Sequence, residues 1–292
     1  MTVSSGSSGS PTVLKRWVAF ELRRLRETRH LGRDAAAKSI HGSVSQIGHI
    51  ETGRSLPKPL ELEKLLEIYG VPERADFFLR LRDAAKKGRD WWIGFEGAVV
   101  PEWFELYLGL ESSATKIEGW DAQVIPGLLQ TPEYAEAVIR AGEPDLPDDE
   151  VTRRVQVRIG RQREVLDRAD PPKVWSVLHE GALRTTVGGP EIMRAQLDKL
   201  VELSRRPNIT LQVLPFAAGA HPGGDGTFAI LSFPAELEFD PGAVYVQTRI
   251  TGYYYEQPDE LARYRDDLTR LQIQAIKPEQ TPAFIHRIAE DL

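Results

Sequence analysis

Apolar residues recur at three- and four-residue steps through the first third of the chain and at closer steps in several later stretches. Over residues 13–30, Leu14, Trp17, Val18, Leu22 and Leu25 form one stripe among arginines, which predicts an amphipathic helix. Residues 33–40 predict a second, short helix, and only His41-Gly42 separates it from a third over 43–52. Ser43 suits the N-cap of that third helix, and Gly53 stands where a left-handed C-cap is wanted. Val44, Ile47 and Ile50 or Glu51 share one face of it, while Ser45, Gln46, His49 and Thr52 occupy the other. Helices over 61–69 and 73–87 follow, the latter with Phe77, Phe78 and Leu81 inward, and 86–89 reads as a hinge region.

Beyond residue 91 the pattern predicts a helix over 102–120, with Trp103, Leu106, Tyr107 and Leu110 at helical spacing, and a strand over 123–125. Helices over 132–141 and 148–168, a strand over 173–179 and a helix over 190–204 come next. Strands over 209–214, 227–233, 243–249 and 252–255 precede closing helices over 258–275 and 278–288. The predicted organisation is multidomain. An all-α five-helix domain over 13–90 follows a disordered Ser/Gly-rich leader over 1–12, and a mixed α/β domain occupies 91–292.

The 292 residues, 41% of them hydrophobic, suffice for two cores. With no cysteine, disulfides, thiolate ligands and cysteine nucleophiles are excluded. No apolar run is long enough for a membrane span, and a cytoplasmic location is expected. The net charge of −6 conceals an asymmetry. Residues 1–58 hold ten Lys/Arg against four Asp/Glu, a net +6, so the remainder carries −12. The basic end is the one with two short helices joined by a tight turn, which is the helix-turn-helix plan. Phosphate contact requires that placement.

From Trp17 to about Tyr69 the chain resembles the lambda-repressor or xenobiotic-response-element type of helix-turn-helix domain. The residues that carry the resemblance are Leu22, Leu25-Arg26-Glu27, Ala36-Ala37, Ser43, Ile47, Ile50-Glu51, Gly53-Arg54, Pro57, Leu60 and Leu65-Leu66. That family usually has glycine where this chain has His41, and histidine tolerates positive φ better than most residues. Gly48 is unusual inside a recognition helix and costs roughly 0.5–1 kcal/mol against alanine. It is expected to let the helix lie close to a neighbour or to DNA. The resemblance implies double-stranded DNA as partner. Arg33 would meet phosphate, and Val44 suits a thymine methyl, Ser45 either base type and His49 a guanine acceptor. Gln46 is a further contact, Arg54 and Lys58 set register on the backbone, and Ser43 serves as cap or contact. It also implies a partly buried structural ion pair between Arg26 and Glu51.

The later stretches Val124-Ile125-Pro126-Gly127-Leu128-Leu129-Gln130-Thr131, His179-Glu180-Gly181-Ala182-Leu183-Arg184 and 207–215 resemble a C-terminal domain common in actinobacterial regulators, often grouped with antitoxin-like proteins. This resemblance implies a transcription regulator controlled through its C-terminal domain by a small-molecule effector or a small partner protein. The alternative it leaves open is an antitoxin-like protein that sequesters such a partner and regulates its own operon. A homodimer on a roughly palindromic operator is expected, with the aromatic run 91–95 as a candidate self-contact.

Enzymatic chemistry finds little footing. His179-Glu180, His221 and Glu111 lack zinc-ligand spacing, and Ser176 and Ser232 sit in no nucleophile elbow. Residues 219–226 have neither the Walker lysine nor the dinucleotide spacing, and read as a turn or flexible flap. No catalytic residue, metal or cofactor is expected. The tryptophans at 91, 92, 103, 120 and 175 suit a core, a domain interface or the lining of a ligand pocket.

Overall fold

The computed structural model describes residues 10–88, 90–91, 100–235, 237 and 239–292. The chain divides into two compact units, Met1–Trp91 with Ala235–Asp240, and Trp92–Pro234 with Pro241–Leu292. An all-α helix-turn-helix region thus precedes a domain with a mixed sheet and helices.

The first unit holds α1 (Pro11–Thr28), α2 (Arg33–Ser39), α3 (Val44–Glu51), α4 (Pro59–Ile68) and α5 (Ala75–Lys87). The first helix begins inside the expected leader, because Ser10 Oγ accepts the Thr12 amide at 3.2 Å and Pro11 is suited to a first helical turn. Residues 1–9, Arg89 and most of the aromatic run 91–95 lie outside the described residues. Trp17 is fully buried and meets the ring of Phe77 edge-on at 5.6 Å and that of Phe78 at 5.2 Å. Ile47, Leu62, Leu65 and Leu66 are buried too, so α3 is fixed by an apolar face on a helical core.

The second unit is built on a six-stranded sheet in the order β3-β2-β1-β4-β5-β6. Its strands are β1 (Lys116–Asp121), β2 (Lys173–His179), β3 (Ile209–Leu214), β4 (Phe228–Ser232), β5 (Ala243–Gln247) and β6 (Gly252–Tyr255). Strands β1, β2 and β3 run parallel, and β4, β5 and β6 continue antiparallel from β1. Its helices are α6 (Glu102–Ser113), α7 (Pro132–Gly142), α8 (Asp148–Leu166), α9 (Glu180–Arg184), α10 (Pro190–Leu203), α11 (Pro258–Gln274) and α12 (Thr281–Glu290). Alternate residues divide the sheet into two faces. Trp120, Val177, Phe228, Ile230 and Val244 pack with Leu261, Leu268 and Leu271 of α11, while Ile117, Gly119 and Asp121 belong to the other face.

Two expectations are corrected here. The helix predicted over 102–120 ends at Ser113, and Trp120 lies in β1. That central strand is buried on both faces, so it shows no clean polar–apolar alternation. Residues 123–125 form no strand. The Ile125 amide donates to Tyr134 Oη at 3.3 Å, and its carbonyl accepts from Gln130 Nε2 at 2.6 Å, so side chains satisfy the backbone that a ladder would otherwise use. Residues 219–226 are held down through a short 3₁₀ turn, Pro222–Asp225. Trp120 Nε1 donates to the Gly223 carbonyl at 2.9 Å, and a Cβ at position 223 would stand 2.3 Å from that nitrogen.

Candidate nucleic-acid interface

The turn between α2 and α3 is made by His41 at φ 53°, a left-handed conformation that histidine tolerates better than most residues. Ser43 Oγ then accepts the Gln46 amide at 3.1 Å and starts α3. Gly53, at φ 70°, follows its end. Ile47, Ile50 and Glu51 face the core, leaving Ser45 and His49 exposed on the far side. Val44 departs from the expected inward stripe. It is 51% exposed, which costs apolar burial but leaves its methyls on the outer surface. Gly48 packs against no neighbour, since a Cβ added there would meet nothing within 4 Å. Close approach within the protein therefore does not explain it.

Beneath this face lies an ionic knot. Arg26 grips Glu51 with two hydrogen bonds, Nε to Oε1 at 2.5 Å and Nη2 to Oε2 at 3.1 Å, and donates a third to the Leu31 carbonyl at 2.8 Å. Both residues are 7% exposed. The bond to Glu51 outweighs burial and raises the Arg26 pKa. Arg33 joins through Nε, 2.8 Å from Glu51 Oε2. Its side chain is 41% exposed, so this partner fixes its orientation without enclosing it.

Two further expected contacts, Gln46 and Lys58, meet at Glu61, a residue the sequence did not single out. Its carboxylate accepts the Lys58 amide at 2.9 Å and Gln46 Nε2 at 3.3 Å, and lies 3.5 Å from Lys58 Nζ. Gln46 would have to leave a long hydrogen bond to reach a base. Arg54 and Lys38 are exposed and make no ion pair among the described residues. Other cations of the first unit are used internally. Arg24 and Arg74 neutralise the fully buried Glu21 at 2.5 Å and 2.6 Å, and Arg29 donates to the Tyr69 carbonyl at 2.8 Å. Only the interleaving of Glu21 with arginines hinted at this.

The residues considered for catalysis are occupied otherwise. His179 and His221 each accept a backbone amide through Nδ1, from Gly181 at 3.3 Å and Gly223 at 3.1 Å, and so cap the turns that follow them. Glu180 binds Arg184 Nε at 2.6 Å and the Phe216 amide at 2.7 Å. Glu111 is fully buried and holds Arg161 and Tyr107. Among the described residues no helix is long and apolar enough to cross a membrane.

Residues 17–77 match the family described as a helix-turn-helix domain. Residues 104–287 match one described as a domain of unknown function (DUF5753). No curated protein and no solved structure matches the chain.

Proposed function

Since the chain belongs over most of its length to the DUF5753 family and carries a helix-turn-helix DNA-binding domain ahead of that match, we propose that it is a sequence-specific transcription regulator of the lambda-repressor type, controlled through its C-terminal domain. The observation that carries this is the α3 surface. Val44, Ser45 and His49 stand exposed on a helix whose other side is locked by Ile47, Ile50 and the Arg26–Glu51 pair. Such a helix fits the major groove, with those three side chains at base edges. Arg54, Lys58, Lys38 and the outer nitrogens of Arg33 supply the phosphate contacts, which hold register without reading sequence. The working form is a homodimer on a palindromic operator, because one such helix reads too few base pairs to select a genomic site.

We assign the C-terminal domain no catalysis, and the caps and ion pairs that engage its His and Glu candidates support this. The antitoxin-like alternative uses the same α3 surface for autoregulation, and differs only in that the C-terminal domain holds a partner protein. Selection of binding sites from random DNA tests the regulator reading. Wild type should return a palindromic motif. Ser45→Ala and His49→Ala should each alter it, at about 1–3 kcal/mol per lost base contact, whereas Arg54→Ala should weaken all sites alike. Mutants that return the wild-type motif would mean that α3 does not read bases.

A further inference from the structure

In the second unit, on the sheet face that carries Ile117, Gly119 and Asp121, lies a cavity of about 920 Å³ lined also by α6, α7 and α8. That size falls within the range of small-molecule sites, roughly 300–1,000 Å³. Phe104, Tyr107, Leu128, Val157 and Tyr245 form its apolar side. Trp103 lines it as well, whereas Trp120 and Trp175 pack with the α11 core. The sequence stretch 124–130 forms another wall and is rigidly braced. Gln162 Nε2 donates to the Gly127 and Gln130 carbonyls, each at 2.8 Å, and Gln196 Nε2 to the Leu129 carbonyl at 2.8 Å.

Three arginines of α8 line this space at four- and three-residue steps, Arg154, Arg158 and Arg161, so they share a helix face. Two are neutralised. Arg154 pairs with Glu143 at 2.6 Å and Glu150 at 2.9 Å, and Arg161 grips Glu111 with two hydrogen bonds. Arg158 makes no ion pair among the described residues. Its Nη1 donates to the neutral Gln130 Oε1 at 2.7 Å. Burial, followed by the repulsion of Arg161 and Arg154, pulls its pKa down to about 10. Gly127 stands against these guanidiniums. A Cβ there would lie 3.0 Å from Arg161 Nη1 and 3.6 Å from Arg158 Nε, so the glycine leaves room beside them.

A partly buried guanidinium with like charges on both sides favours an anion beside it. A carboxylate matches its planar fork, and among the three α8 arginines Arg158 is the one without a carboxylate partner. The apolar wall then requires an apolar remainder. We propose that this cavity binds a small amphipathic carboxylate, an acyl or aryl monocarboxylic acid, with its carboxylate on Arg158 and its body against Phe104, Tyr107 and Tyr245. That occupancy changes DNA binding rests on the regulator reading above; occupancy itself does not.

Calorimetric titration of the full chain with decanoate and with phenylbutyrate, each against its primary amide, tests the site. At least one acid should bind with a Kd below about 1 mM, with its amide roughly tenfold weaker. Arg158→Gln should abolish the preference for acid over amide, and Arg158→Lys should keep part of it. Ala229→Leu, which adds bulk on the lining strand β4, should weaken acid and amide together. Binding of neither acid, equal binding of acid and amide, or an acid preference that survives Arg158→Gln would overturn the proposal. Should circular dichroism show Arg158→Gln unfolded, Arg158→Lys and Ala229→Leu decide. With binding established, a gel shift on the selected operator with and without the acid separates the two readings. An unchanged shift removes the link to regulation and leaves the site in place.

Discussion

Asp121 should make the second unit less stable as pH rises, and Asp121→Asn should remove that dependence. The carboxyl ends β1 at 9% exposure, with Ser176 Oγ donating to it at 3.2 Å. Burial pushes its pKa up to about 7 from 3.8, against the smaller opposing effects of Ser176 and Arg161. Below about pH 4 the group is protonated in folded and unfolded chains alike, and contributes nothing to the pH dependence. Between there and pH 7 the unfolded chain releases a proton that the folded chain keeps. Each unit of pH then costs about 1.4 kcal/mol of stability. Above pH 7 both forms are ionised and the penalty stays constant, at about 4 kcal/mol over the full interval. Asparagine keeps the shape and a polar group for Ser176 but cannot ionise. Urea unfolding of wild type and Asp121→Asn at a series of pH values, followed by tryptophan fluorescence, gives the difference directly, and other carboxylates cancel from it. The advantage of the asparagine variant should grow from pH 4 to 7 and then level off. A difference that is flat over that interval, or that shrinks with rising pH, would refute the reasoning.

Two further outcomes concern the first unit. Glu51→Gln should lower its stability by about 3–5 kcal/mol, because it leaves Arg26 buried without its counter-charge, while the selected DNA motif stays the same; a melting temperature equal to wild type would place the pair in solvent. Gly48→Ala should stabilise α3 by roughly 0.5–1 kcal/mol, since its Cβ meets nothing within 4 Å. It should also weaken operator binding, and a variant both more stable and equally tight would show that DNA does not use that space.

Much of the first unit was legible because its signals are local. A serine cap, a positive-φ turn and a three-to-four spacing of Ile47, Ile50 and Glu51 all act within one helix. The Arg26–Glu51 pair spans 25 residues and entered through resemblance. The Glu21 knot depends on Arg74, 53 residues away, and no spacing within α1 discloses it. The strand β1 was lost for a related reason. Its neighbours β2 and β4 are supplied by residues 173–179 and 228–232, and burial on both sides removes the alternation that marks a half-exposed strand.

The cavity shows where local reading stops. The spacing of Arg154, Arg158 and Arg161 on one helix face is plain in the sequence, as is the high charge of that helix. What matters chemically is which of the three lacks a carboxylate, and that is decided elsewhere. Glu111 reaches Arg161 across 50 residues from α6, and Glu143 reaches Arg154 from the end of α7. Arg158 donates instead to the side-chain oxygen of Gln130, from the stretch that was distinctive in sequence but suggested no chemistry. A charge in water and a charge beside an amide oxygen in an apolar wall look identical as letters. Their free energies differ by the desolvation of the guanidinium, and that difference is what turns a solvated arginine into an anion site.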